Sequence, residues 1–417
     1  MKALVTASLL LPASWIVASC SASQDGSTSS DPSDDPVAIA AESTGVHINA
    51  ITEAPTGFDN LTNGFSTQAQ MDAAKTIFAD EVEEIADGLG PTFNAQSCRE
   101  CHQNPVTGAA SQTTEFRNGH FNGTSFVDPP GGSLQNDRAI NASIQPRIAS
   151  GQEVRTFRIS LSLMGDGFIE AVDSSTITAI QIGQTPGQRG TLISVPVLEA
   201  PGQSRLGRFG WKNQQASLLS FAADAYVNEE GITSPLQPAE RITRFDTVTD
   251  PEDVGGADIA QFALFMRSLK APAVDAVAAA TASAKAGSAL FDSLGCAICH
   301  VRTMATAAAG TVINGGTFTV PAALGDKNIH PFCDLLLHDV GTGDGIVQNG
   351  GQGSRNMVRT ACLWGLRARS RLMHDGESVS LRDAILRHGN QGLASRNNFA
   401  ALSAAQQQNV IDFLNSL

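Results

Sequence analysis

The sequence predicts a mainly α protein made of two related units, with a small β-containing insertion in the first. Three observations carry this. Apolar residues recur at helical spacing just before each of two short Cys/His clusters. Between them, 155–198 reads as shorter, β-like runs, "TFRISLSL" and "TLISVPVLEA". Long Gly-rich loops fill much of the remainder, with 39 Gly and 18 Pro in 417 residues.

Taken in order, residues 1–20 read as an export signal. Lys2 precedes an apolar run from Leu4 to Val17, and "VASC" ends at Cys20. A small residue directly before Cys resembles a bacterial lipoprotein signal, with Cys20 as the lipidated mature N-terminus; the alternative is a plain secretory signal. Either places the mature chain on the periplasmic or cell-envelope face of a bacterial membrane, in an oxidising compartment. The apolar run is too short to span a bilayer. Residues 21–56 begin "SASQDGSTSSDPSDDP" and are expected to be a solvated tether. The net charge of −14 argues against a nucleic-acid partner and suits a basic donor protein.

The first unit is expected over 57–256. A helix from Gln68 places Ala73, Ile77, Phe78, Val82 and Ile85 on one face, and Gly88, Gly90 and Pro91 stop it. The insertion is expected over about 155–250, with Asn213–Val227 helical. The second unit, 257–417, opens with a helix over Asp258–Leu269 that ends before the Pro-containing "KAPA". Another helix, "TASAKAGSALFDSLG", leads straight into "CAICH", and an amphipathic helix through Val410, Phe413 and Leu414 closes the chain.

The two clusters are Cys98, Cys101 and His102, and Cys296, Cys299 and His300. A redox dithiol has no use for the following His. A zinc site needs four ligands at one point, yet the clusters lie almost 200 residues apart, each with its own helix. Covalent haem c accounts for every residue: two thiols for two vinyl groups, and a His for the iron. The expectation is two cytochrome c-like haem domains with two covalently bound haems, His102 and His300 being proximal ligands.

What occupies the far side of each iron decides between electron carriage and chemistry. His388, at the end of a helix in "AILRHGNQG", is the candidate distal ligand of the second haem. His120, in "FRNGHFNG", is the candidate for the first. The alternative for each is an ordinary surface or capping histidine. His330, His338 and His374 sit in tight loops and are expected to support the haems by hydrogen bonds; His47 is expected to be inert.

"LGPTFNAQSCRECH" (Leu89–His102), "CDLLLHDVG" (Cys333–Gly341), "VRTACLWGL" (Val358–Leu366) and "LMHDGESVSLRDAILRHGNQG" (Leu372–Gly392) together resemble the bacterial di-haem oxidoreductases. Those proteins are often labelled peroxidases or "thiol oxidoreductases" and are related to di-haem cytochrome c peroxidases. The resemblance runs from about Gly57 to Leu417. It implies that Trp211 relays electrons between the haems and that Glu229 is the acid–base group of the peroxide pocket. The alternatives are a core aromatic and an exposed carboxylate. His388 stands where the peroxidases usually carry Met, and Ser220-Phe221 offers no equivalent of their pocket Gln. The resemblance further implies a Cys333–Cys362 disulfide and a calcium ion, although no EF-hand-like loop is present and "GTGDG" (Gly341–Gly345) is short.

The activity so implied is reduction of hydrogen peroxide with electrons from a periplasmic donor such as a small cytochrome or cupredoxin. The alternatives are a di-haem electron-transfer cytochrome without substrate, and an oxidase or oxygenase acting on a protein or polymer.

Overall fold

The structure is a computed structural model and describes residues 50–80 and 82–417. The export signal with Cys20, most of the tether and His47 lie outside the described residues. Among the described residues no helix is long and apolar enough to cross a membrane.

The described chain is 33% helix and 15% strand, so helix predominates over sheets that are all small. Helix starts are written in the sequence. Thr67 caps Gln68–Lys75 and Ser403 caps Ala404–Leu414, each in a reciprocal box with the Gln three residues on (Gln70, Gln406). Thr281 caps Ala282–Ser293 and Ser217 caps Leu218–Ala225.

The two largest of three apolar clusters organise the described unit. The larger joins helices Gln68–Lys75, Leu218–Ala225 and Ala257–Ser268 through Met71, Phe78, Leu218, Ala222, Phe262 and Phe265. The second is C-terminal, around Phe291, Phe399, Val410 and Phe413. There helix Ala282–Ser293 lies so close to Ala404–Leu414 that a Cβ on Gly287 would fall 1.8 Å from the Asn409 carbonyl oxygen. The N-terminal edge, Thr52–Glu53, pairs in parallel with Lys327–Ile329 and so fastens the start of the described chain to its last third.

Two local expectations are corrected. The first helix does not continue to Gly88. Regular helix ends at Lys75, a wider π-type turn covers Thr76–Asp80, and the chain then turns back so that Glu83 N–H donates to Gln96 O at 2.8 Å. Val82 and Ile85 are therefore 59% and 47% exposed, while Phe78 is buried. In the β-like stretch, Val154–Ile159 and Ser194–Pro196 are strands, but Asp166–Ala171 and Ser174–Gly183 between them are helices. Asp173 caps the second of these and Ile177 anchors it in the core, so capping and burial override its β-branched composition. The longest strand, Thr114–Phe121, pairs antiparallel with Val154–Ile159 from Thr114↔Ile159 to Gly119↔Val154.

Candidate haem sites and the wall between them

Both Cys/His clusters fold the same way. Cys98–Glu100 and Cys296–Ile298 are single 3-10 turns. His102 N–H donates to Cys98 O, and His300 N–H to Cys296 O, each at 3.0 Å. One turn thus gathers two thiols and sends the imidazole onward. A phenylalanine packs on each imidazole: Phe78 on His102 and Phe291 on His300, both with ring centroids 6.4 Å apart, at 51° and 53°. One phenylalanine comes from a π-type turn and the other from an α-helix, so different local structures reach one geometry. All four thiols are unpaired. Among the described residues no group of ligating atoms joins the two clusters, which removes the shared-zinc alternative.

The second cluster opens on a cavity lined by Cys296, Cys299, His300 and His388, with Leu363, Leu366, Phe399 and Leu414 as apolar walls. The Nδ1 atoms of the two histidines lie 3.0 Å from Phe332 O and 2.8 Å from Ala384 O. Donation from Nδ1 leaves Nε2 as the lone-pair nitrogen that a metal takes. Burial, then the neighbouring His388, pushes His300 down to about 4, and burial lowers His388. Both are held neutral, as ligation requires. Arg369, Arg371 and Arg396 also line the cavity, and Arg396 Nε is a buried donor without a partner. An apolar slot with two neutral imidazoles and unspent guanidinium capacity fits haem and its carboxylates.

Beside the first cluster stand carboxyls. Cys98 Sγ donates to Glu230 Oε1 at 3.4 Å, and Glu229, Glu100 and Glu115 act on Cys101. Burial pushes His102 down to about 4, and its Nδ1 is a buried atom without a hydrogen-bond partner. Glu229 is partly buried; burial and then the charge of Glu115 push it up to about 7. Asn94 Nδ2 donates to its Oε2 at 2.8 Å.

Trp211 lies in the cavity wall, 7% exposed, with Nε1–H donating to Ile159 O at 2.8 Å. The next residue, Ser160, contacts the Cys101 thiol. His374 meets the indole edge-on at 6.1 Å. Lys212 fixes the far side: its Nζ sits 2.8 Å from Asp344, which also binds Arg158 at 2.7 Å.

His120, expected at the first haem, is engaged elsewhere. It sits in strand Thr114–Phe121, 45% exposed, with Nδ1 2.7 Å from Glu153. Its strand partner is Val127, whereas Ile159, next to the Ser160 that contacts Cys101, pairs with Thr114, six residues back and roughly 20 Å away along a strand. His338 is buried and bound to Asp334 at 2.7 Å, near Cys299 Sγ at 3.8 Å. His330 is on the surface with Glu53. Cys333 and Cys362 are joined as a disulfide, Cα atoms 4.6 Å apart. Ser220 binds Glu199 and Ser217. Asp344 of the "GTGDG" loop is neutralised by two cations and unsuited to calcium; Glu240, Asp246 and Glu252 bring carboxylate oxygens within 4.8 Å of one another elsewhere.

Sequence reasoning missed Glu115, Arg117, Asn94, Arg158 and Asp344. Asn94, Arg117, Arg158 and Asp344 stood in stretches noticed for other reasons, and Glu115 in none.

The family described as "Di-haem oxidoreductase, putative peroxidase" matches over residues 106–417. No curated protein matches. Among solved structures, the chain is similar to hydrazine synthase of Kuenenia stuttgartiensis, at 14% identity over 92% of this chain and 100% of that one, TM-score 0.39. It is similar to a MauG-like protein associated with microbial copper homeostasis, at 14% identity over 88% and 93%, TM-score 0.39. The diheme peroxidase BthA from Burkholderia thailandensis matches at 14% identity over 70% and 92%, TM-score 0.31.

Proposed function

Because this chain belongs to the di-haem oxidoreductase family, we propose that it is a di-haem c-type peroxidase that reduces hydrogen peroxide with electrons from a periplasmic donor. The observation that carries this reading is the asymmetry of the two sites. One offers two neutral imidazoles, His300 and His388, to a single cavity. The other gathers carboxyls beside its thiols. Two imidazoles suit a centre that stores and passes electrons; a carboxyl with a raised pKa suits proton movement at a substrate.

Haem, when bound, supplies the iron that exchanges electrons and activates peroxide. The chain's own residues do the rest. Cys98, Cys101, Cys296 and Cys299 tether the two haems. Trp211 stands between the sites, anchored by Ile159 O and by Lys212 behind it. Glu229 holds a proton near neutral pH and gives it to the departing peroxide oxygen, while Asn94 fixes its orientation. Two cytochrome c-like domains would carry these haems. The acidic chain, −14 overall, suits a donor with a basic docking face, such as a small cytochrome or cupredoxin. Lipidation at Cys20 would keep the enzyme at the envelope.

The test is donor oxidation by peroxide after reductive activation. Glu229→Gln is expected to lower the rate by about 10²–10⁴-fold. Absence of turnover, with both irons six-coordinate, would overturn the proposal in favour of an electron carrier.

A further inference from the structure

We infer that Glu115 and Glu229 form one proton-sharing pair, in which Arg117 keeps Glu115 ionised so that Glu229 keeps the proton. The inference rests on the peroxidase reading of the first haem site and adds a positioning residue to it.

The geometry assigns the charges. Arg117 faces Glu115 with a fork: Nε to Oε1 at 2.5 Å and Nη2 to Oε2 at 3.2 Å. Both Glu115 oxygens therefore accept from a cation, which is the arrangement of an ionised carboxylate. The guanidinium is itself fixed, since its Nη1 donates to Ser133 Oγ at 3.2 Å and the residue is buried. Glu229 has no such fork. Its Oε2 accepts from Asn94 Nδ2, and Asn94 cannot be turned round, because its Oδ1 accepts from Asp137 N–H at 2.9 Å. The proton of Glu229 thus belongs on Oε1. The Glu115 and Glu229 side chains are hydrogen-bonded to each other. Two carboxyls in contact cannot both ionise without large repulsion, so one proton is shared and the cation decides where it rests.

Other groups face the pair. Arg158 stands on the Glu115 side, whereas Arg241 acts on both carboxyls and more on Glu229. Burial raises the neighbouring Glu230 and Asp224 carboxyls and the Cys101 thiol as well, so none of them supplies a cation that would draw the proton off Glu229. Arg117 holds Glu115 below the usual carboxylate range against the cost of burial, and Glu229 is raised. Glu115 retains 19% exposure, and behind Arg117 lies a polar cavity of about 310 Å³ lined also by Asp224, Asn228 and Arg241. That volume holds several waters. A proton given up by Glu229 can be returned through the partly exposed Glu115, with no net change in the pair.

The test uses the holoprotein and infrared spectroscopy. The wild type should show carboxylic acid C=O absorption at about pH 6, where an isolated Glu has already ionised, and the wild-type minus Glu229→Gln difference should isolate the Glu229 band. Glu115→Gln deletes the neighbouring anion and frees Arg117 to face Glu229, so the band's midpoint should fall by about one pH unit or more. The pH–rate profile for peroxide should move with it. Glu115→Asp should hold the midpoint near the wild-type value. An unmoved midpoint in Glu115→Gln would overturn the inference. If that variant does not fold, the wild type still decides, because no Glu229 band at about pH 6 is equally fatal. Band shifts without any peroxide turnover would leave the pair standing and remove the peroxidase reading instead.

Discussion

Replacing Asp344 with asparagine asks whether one buried carboxylate holds the wall between the two haem sites. Asp344 lies 2.7 Å from Arg158 and 2.8 Å from Lys212, and all three side chains are 0–2% exposed. The amide preserves shape and removes the charge, leaving two buried cations with no anion between them. Removing one partner from a buried pair costs about 3–5 kcal/mol. Lys212 can escape by losing its proton; since its wild-type pKa is already pushed down to about 8, that escape adds only ~1.4 kcal/mol at about pH 7, and the uncompensated Arg158 carries the rest. The expected total stays at about 3–5 kcal/mol. For roughly 370 described residues at ~2.1 cal/mol/K each, this lowers Tm by about 4–6 °C. The pH dependence has a definite sign. In the wild type, burial pushes Lys212 down to about 8, so it keeps its proton below that pH. In Asp344→Asn its pKa drops further. Between the two values the variant's folded state binds fewer protons, so its deficit shrinks as pH rises, by up to ~1.4 kcal/mol per unit, and is constant above about pH 8. Urea unfolding at a series of pH values measures this. A deficit under ~1 kcal/mol, or one that widens from about pH 7 to 8, would refute the reasoning.

Other perturbations have equally definite outcomes. Cys333→Ala with Cys362→Ala opens a 29-residue separation and should cost about 2–4 kcal/mol in denaturant unfolding, with reduction of the wild type costing the same. His388→Ala should abolish the low-spin spectrum of the second haem while leaving covalent haem at two per chain; an unchanged spectrum would exclude it as a ligand. Trp211→Phe removes the donor to Ile159 O, should cost about 1–3 kcal/mol and should slow electron exchange between the haems without altering ligation at either. Burial pushes Glu230 up to about 8, above its unfolded value, so it favours the folded state at low pH and that favour is lost as pH rises through 8. Glu230→Gln should flatten that decline, and a steeper one would count against the assignment.

Features with local signals were legible in the sequence. The helix ahead of Cys296 and the last helix have apolar faces of helical period and Ser/Thr caps at their starts. His388 was readable as a helix-end residue because its Nδ1 partner, Ala384, lies one turn back. What was hidden depends on distant pairing. "TEFRNGHF" has no clean alternation, so the strand that carries Glu115 and Arg117 declares itself only when Val154–Ile159 pairs with it. Asp344 in "GTGDG" reads as a turn, and its counter-ion Arg158 is 186 residues away. His120 misled for the same reason: eighteen residues from His102 is near in sequence, but strand geometry carries it outward.

Ile159 and Ser160 were described as neighbours of two different sites, the first holding the Trp211 indole and the second touching Cys101. Their adjacency makes the spacer between those sites a single peptide unit. Centres held apart by a docking interface would drift whenever the interface slid, and their exchange would vary with salt and temperature. Here one peptide unit carries both contacts, a hydrogen bond from the indole and a contact with the thiol, so the indole keeps its place beside the first cluster. Electron exchange should therefore be as insensitive to ionic strength as the backbone itself, leaving only the arrival of the external donor to respond to salt.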